Sequence, residues 1–248
     1  MWMDADAFLA NHRRALLYAL GLLLAMGLVF LGVGRHPPST APRTTIAFIG
    51  RWDLAVYHGS DDVRTGVLTL IARALNLVGS GVVTIPLRIG VAVWLAFRTR
   101  WRAFAVWVGT WAVAEIVLTV AKGFYHRGRP PGSLVSTVGY SFPSGHAVAG
   151  TATAVALVLV LLPAGPARRR WEWAAVAFSF VMASSRVYLR AHWLSDAVAG
   201  VLLGAGVALG VAALVTEIRD VVARRRTRAG PGAEDAGAEA ARAPTDPG

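Results

Sequence analysis

The sequence predicts an all-α fold, a polytopic membrane helical bundle of about six transmembrane helices with both termini cytoplasmic. Three observations carry that expectation. Hydrophobic residues make up 55% of the 248 and charged residues only 16%. Residues 15–34, 147–167 and 197–216 each run uncharged for at least 20 positions, about the length that crosses ~30 Å of hydrocarbon as a helix. The basic residues fall between these runs in the pattern that membrane topology requires.

In order, the spans are expected near 15–34, 79–97, 103–121, 147–167, 171–189 and 194–216, within one domain of residues 1–228. The first follows Arg13 and Arg14, as a signal peptide would. It is longer than a usual signal core and is followed by Arg35-His36-Pro37-Pro38 rather than a small-residue cleavage site, so a retained signal anchor is expected. The second span carries only Arg88 and the third only Glu115. At 1.5 Å per residue they lie at similar depth, and ionisable groups inside a membrane pair or line a cavity. Glu115 is therefore expected to pair with Arg88, or with Lys122. The fifth span is interrupted by Glu172 and Arg186.

Between the first two spans, Pro37, Pro38 and Pro42 mark irregular structure. Val63, Val67, Leu70, Ile71, Ala74, Leu75 and Val78 then recur at helical spacing, with Arg64, Thr65, Arg73 and Asn76 off the stripe. That segment reads equally as a helix in the outer membrane interface or as one packed on the protein body. Residues 229–248 are rich in Ala, Gly, Pro, Glu and Asp; such a segment buries too little apolar surface to order itself and reads as a disordered cytoplasmic tail. Trp94, Trp101, Trp107, Trp171, Trp173 and Trp193 fall near span ends, where interfacial anchoring accounts for most of them.

The net charge is +11, which in a soluble protein would raise nucleic-acid binding. Position argues otherwise. Arg13 and Arg14 precede span one; Arg98, Arg100 and Arg102 join spans two and three; Arg168, Arg169 and Arg170 join spans four and five; Arg219, Arg224, Arg225, Arg226 and Arg228 follow span six. With six spans these clusters share one side, which the positive-inside rule makes cytoplasmic. The expected partners are membrane lipids, not nucleic acid, and the expected location is the cell membrane. The sequence does not specify oligomeric state. There are no cysteines, which excludes disulfides and thiolate metal sites.

Three short segments fall together on the opposite, extracytoplasmic face. Lys122 and Arg129-Pro130 leave span three, Pro143-Ser144-Gly145-His146 precedes span four, and Ser185-Arg186 with His192 and Asp196 joins spans five and six. Lys122, Arg129 and Arg186 supply cations, and the arginine fork matches phosphate oxygens. The plainer alternative is that edge cations snorkel to headgroups, and for Lys122 alone that reading is ahead. Ser144 suits a helix N-cap, Gly145 permits close backbone approach, and the first amides of a helix attract anions. If span six starts near Ala191, His192 and Asp196 share a helical face. A carboxylate there fixes the imidazole tautomer and stabilises its cation; a capping Asp beside an incidental His is the plainer reading. His126 and Arg127 could touch a headgroup or sit in solvated loop, and the loop is the favoured reading.

The three segments, in this order, resemble the signature motifs of the type 2 phosphatidic acid phosphatase superfamily, which includes membrane lipid phosphatases and the vanadium haloperoxidases. Trp193-Leu194 departs from the Tyr-Pro often seen after the third-motif histidine. The resemblance implies a membrane phosphatase acting on lipid-linked phosphate or pyrophosphate at the extracytoplasmic face. It further implies His192 as nucleophile, forming a phosphohistidine, Asp196 orienting it, and His146 as acid and then base. Lys122, Arg129, Ser144, Gly145 and Arg186 would hold the phosphoryl oxygens, with no metal and no cofactor. The competing readings are a haloperoxidase, whose relatives are soluble, and an anionic-lipid transporter or binding protein, which needs neither histidine.

Overall fold

The computed structural model describes residues 12–34 and 44–228. The proline-marked stretch around Pro37, Pro38 and Pro42, and the expected tail at 229–248, lie outside the described residues. Among these, the secondary structure is entirely helical: α1 (His12–Val33), α2 (Ala47–Asp62), α3 (Gly66–Val78), α4 (Gly81–Phe97), α5 (Trp101–Tyr125), α6 (Gly145–Leu161), α7 (Pro166–Tyr188) and α8 (Leu194–Arg228).

All six expected stretches are helical, with shifted ends. The α6 helix stops at Leu161, short of 167, because Pro163 and Gly165, the latter at φ 151°, break the chain before Pro166 opens α7. The last helix continues to Arg228 instead of ending at 216. Three described helices are long and apolar enough to cross a membrane: α1 from Leu16, α5, and α8 as far as Arg225. The α3–α4 pair, bent by 44°, makes a fourth when taken as one span. At 17 residues α6 is shorter, and α7 opens on Arg168, Arg169, Arg170 and Glu172, so length and apolarity alone do not reach the expected six.

Leu17, Leu24, Leu28 and Leu31 on α1 are all exposed, the arrangement of a lipid-facing surface. The α3 helix is inverted relative to a soluble amphipathic helix. Its apolar stripe (Val67, Leu70, Ile71) faces outward. The polar side packs on the protein body: Thr69 Oγ1 meets Tyr188 Oη at 2.8 Å, and Asn76 meets α6 and α7. Of the tryptophans, Trp107 and Trp193 are buried, so interfacial anchoring does not describe them; Trp107 donates to the Arg88 carbonyl at 2.9 Å. The α2 helix was not anticipated, because its stretch interleaves charged residues with apolar ones and lacks a clean stripe.

The core forms where α5, α6 and α8 meet, through Ala114, Leu118, Val148, Ala152, Leu203 and Val207. Small residues on α8 let it approach α6 closely, as in membrane helix pairs generally. A Cβ on Gly200 would lie 2.8 Å from the Ser144 carbonyl oxygen, and one on Gly204 2.8 Å from that of Val148. Beneath the α6 N-terminus, Arg88 is buried and ties three helices: it pairs with Glu115 at 3.1 Å and donates to Thr153 Oγ1 at 3.3 Å. The Arg88–Glu115 pair is thus the partnership formed; Lys122 instead donates to the Tyr140 carbonyl at 2.6 Å.

Because the Gly204 contact is backbone against backbone, Gly204→Val must push α8 off α6. Overpacking of this kind costs about 1–3 kcal/mol, read as a lowered unfolding temperature in detergent. Gly90, which has no atom within 4 Å of its would-be Cβ, should accept alanine without such a loss.

Candidate active site

The three sequence segments meet at one end of the bundle. The α5 helix delivers Lys122 in its last turn and ends at His126, in a left-handed conformation (φ 49°). The following loop returns across the helix ends and brings Arg129 to the turn before α8. There Arg129 Nη1 donates to the Ala191 carbonyl at 2.7 Å and lies 3.2 Å from His192 Nε2. Its remaining donors meet the carbonyls of Val138, Gly139 and Tyr140. The second segment is tied directly to the third, the Ser144 N–H donating to the Asp196 carbonyl at 3.0 Å.

His192 sits in the turn ahead of α8, which begins at Leu194 rather than near Ala191. Its Nδ1 lies 2.8 Å from the Ser141 carbonyl and 3.6 Å from Asp196 Oδ2. A carbonyl can only accept and a guanidinium can only donate. Nδ1 must therefore carry the proton, and Nε2 presents its lone pair toward Arg129. The tautomer expected from Asp196 is set chiefly by Ser141. Burial, partly opposed by Asp196 and reinforced by Arg129 and Arg186, pushes the His192 pKa down to about 4. The imidazole is neutral at pH 7.

His146 Nε2 lies 3.1 Å from the Asn76 carbonyl, and Arg186 Nη1 donates to Asn76 Oδ1 at 2.5 Å. Asn76 thus touches both residues from α3. Its only sequence signal was a polar side chain off an apolar stripe. Ser144 occupies the N-cap position of α6, yet its hydroxyl caps nothing. Ser144 Oγ and Arg186 Nε are both buried with no hydrogen-bond partner, leaving two donors available to an anion. A Cβ on Gly145 would meet only Leu118 Cδ2, at 3.6 Å, so nothing in the protein itself forces glycine there.

Arg127 overturns the reading of a solvated loop residue. It is buried because α2 and α8 both offer it a carboxylate: Nη2 reaches Asp53 Oδ2 at 2.7 Å and Nη1 reaches Asp196 Oδ1 at 2.5 Å. Burial works against its charge, and Asp196 and Asp53 together more than offset that, raising its pKa. Asp196 also takes the capping role, its Oδ2 accepting the Trp193 N–H at 2.9 Å. Arg190 pairs with Asp61 and stacks on Tyr57, 4.2 Å from the ring centroid.

Residues 103–220, which hold all three segments, match the family model of the PAP2 superfamily. That segment, 118 of the 248 residues, is similar to the PAP2 superfamily. Among curated proteins no sequence match to this chain is found. Its fold is similar to the crystal structure of a transmembrane PAP2-type phosphatidylglycerolphosphate phosphatase from Bacillus subtilis, at 21% identity and a TM-score of 0.66, covering 83% of this chain and 97% of that one. It is also similar to LpxE of Aquifex aeolicus, at 20% identity and a TM-score of 0.53, covering 64% of this chain and 93% of that one. At these identities the likeness is one of fold. The family match begins within α5, so Asp53 and Asn76 reach the site from outside the matched segment.

Breaking a buried ion pair by removing one partner costs about 3–5 kcal/mol, because the other charge is left uncompensated. Arg127→Met leaves Asp53 and Asp196 in that position. It should lower the unfolding temperature in detergent far more than Arg64→Met, whose side-chain pairing with Asp61 is partly exposed.

Proposed function

We propose that this chain is an integral membrane phosphatase that hydrolyses lipid-linked phosphate or pyrophosphate through a phosphohistidine on His192. The single observation that carries the reading is the direction of that imidazole. Nδ1–H is spent on Ser141, and the Nε2 lone pair faces the cations. His192 Nε2 attacks phosphorus as the bond to the leaving oxygen breaks. His146, which must carry a proton on Nδ1 when the phosphate anion is bound beside it, gives that proton to the leaving oxygen, then takes one from the water that attacks the phosphohistidine and returns His192. With its Nε2–H committed to the Asn76 carbonyl, His146 has Nδ1 left for this exchange. Lys122, Arg129 and Arg186, with Ser144 Oγ and the Gly145 amide, hold the phosphoryl oxygens. Phosphoryl transfer needs positioning and charge stabilisation above all, and these groups supply both without a metal or cofactor.

A lipid substrate is supported by a cavity of about 1450 Å³ lined mainly by apolar side chains of α2, α6, α7 and α8, with Tyr18 and Leu22 of α1, among them Trp52, Val155, Phe180 and Leu202. It reaches Leu194, the residue midway between His192 and Asp196, so a headgroup at the histidine and a chain in the cavity are compatible. The cell membrane, six spans, cytoplasmic termini and an extracytoplasmic site complete the proposal. The connections bearing Arg98–Arg102 and Arg168–Arg170 lie at the end of the bundle opposite the site, Arg100 reaching the Val160 carbonyl at 2.8 Å; the positive-inside rule makes that end cytoplasmic.

Purified protein should release phosphate from phosphatidic acid, phosphatidylglycerophosphate or polyprenyl pyrophosphate with EDTA present, and His192→Ala should abolish release. Release that survives the substitution would remove His192 as nucleophile. A folded parent that binds these lipids and releases nothing would leave a binding or transport protein.

The pH profile follows from His192. Attack needs neutral imidazole, and the folded pKa is lowered from 6.5 to about 4. The lone pair is therefore available above about pH 4 and lost below it. Log kcat/KM, corrected for substrate ionisation, should show no His192 loss between pH 7 and 5, and should fall as pH drops through about 4. An acidic limb centred near 6.5 would contradict this.

A further inference from the structure

One buried acidic side chain has no part in the chemistry above. Asp53, on α2, is 1% exposed, in a helix that lies upstream of the family-matched segment. Its Oδ1 accepts the Ser195 N–H at 2.8 Å, and its Oδ2 accepts the Ser195 hydroxyl and Arg127 Nη2, each at 2.7 Å. Burial, with Asp196 nearby, pushes the Asp53 carboxyl up by more than Arg127 and the Ser195 amide pull it down, so its pKa is raised on balance. Both oxygens accept and neither donates, as in an ionised carboxylate. Burying a charge this fully is unfavourable unless it is paired, and joining α2 to α8 needs only apolar packing. Among the described residues, every hydrogen bond the Asp53 carboxylate makes is to Arg127, which pairs with Asp196, or to Ser195, which precedes Asp196 in sequence.

We infer that Asp53 is a positioning residue for phosphoryl transfer, holding Arg127 and residue 195 so that the Asp196 carboxylate stays turned toward His192. Arg127 spends Nη1 on Asp196 and Ser195 and Nη2 on Asp53. Without Asp53, the guanidinium is free to take both Asp196 oxygens in the bidentate geometry that arginine and carboxylate favour. That would draw Oδ2 away from the Trp193 N–H and from His192 Nδ1. Charge points the same way. Two carboxylates share one guanidinium, leaving one surplus negative charge beside an imidazole that becomes cationic when Nε2 bonds phosphorus. The inference rests on the phosphatase reading, and its test separates the two.

The test compares parent, Asp53→Asn, Asp196→Asn and the double variant. The substrate is whichever of phosphatidic acid, phosphatidylglycerophosphate and polyprenyl pyrophosphate the parent hydrolyses fastest. Partners that orient a metal-ligating histidine are worth about 10–100-fold, and on the same scale Asp53→Asn should lower kcat by about that amount with KM little changed. In the Asp196→Asn background it should have little further effect. A lower unfolding temperature with kcat per folded molecule unchanged would overturn the inference, as would a full additional loss in the double variant. If Asp53→Asn does not fold, Arg127→Lys, which keeps the charge but cannot bridge both carboxylates with paired nitrogens, should give the same kcat loss, and normal turnover by it overturns the inference. If the parent hydrolyses none of these lipids, the phosphatase reading fails instead. Carbethoxylation by diethyl pyrocarbonate, mapped at His192 against exposed His58, then reads the imidazole directly. Asp53→Asn should change the His192 rate relative to His58, and an unchanged ratio overturns the inference.

Discussion

A guanidinium held between two carboxylates where water barely reaches is the interaction on which the rest of the site depends. Arg127 joins the loop after α5 to Asp53 on α2 and to Asp196 on α8, fixing three separate chain segments relative to one another. Its loop then carries Arg129 to the His192 turn and Ser141 beneath the imidazole. In such surroundings an unpaired charge is strongly unfavourable. The network therefore selects one arrangement of these segments more sharply than apolar packing would.

The opposite requirement governs the cations proposed to hold phosphate. Arg129 lies beside His192, and Arg186 and Lys122 enter the same end of the bundle, so like charges are gathered where their mutual repulsion is little screened. The protein meets this with neutral acceptors: the carbonyls of residues 138–140 for Arg129 and Lys122, and Asn76 for Arg186. Dipoles satisfy these cations without neutralising them, and their charge stays available to an anion. The close fit of Gly200 and Gly204 against α6 adds rigidity, since the same contact sets the height of Ser144 above Asp196.

Much of this was legible in the sequence because its signals are local. Uninterrupted apolar runs mark α1, α6 and α8, and Lys122, Arg129, Ser144, His146, Arg186, His192 and Asp196 stand in recognisable spacing at the ends of α5, α6, α7 and α8. Arg88 and Glu115 were legible as a pair because two lone charges at one depth have few other partners. What escaped notice depends on distant chain. Arg127 looks like loop until Asp53 is known to lie against it, and Asp53 and Asn76 lie more than fifty residues from their partners. The tautomer of His192 escaped for the same reason, being set by the backbone oxygen of Ser141, which no side-chain pattern records. The α6 boundary moved because Pro163 and Gly165 broke a run that composition alone made continuous.

The central claim is that His192 Nε2 takes the phosphoryl group, and it is tested most directly by trapping the intermediate. Protein mixed with a 32P-labelled lipid phosphate is quenched within the first turnover in alkali, where phosphohistidine survives, and the labelled peptide is sequenced by mass spectrometry. The account predicts an alkali-stable, acid-labile label on His192 that builds up when water attack is slowed by His146→Ala in the presence of a good leaving group. Label on Ser144 or another side chain, or rapid turnover with no label on His192 even when the second step is slowed, would contradict it.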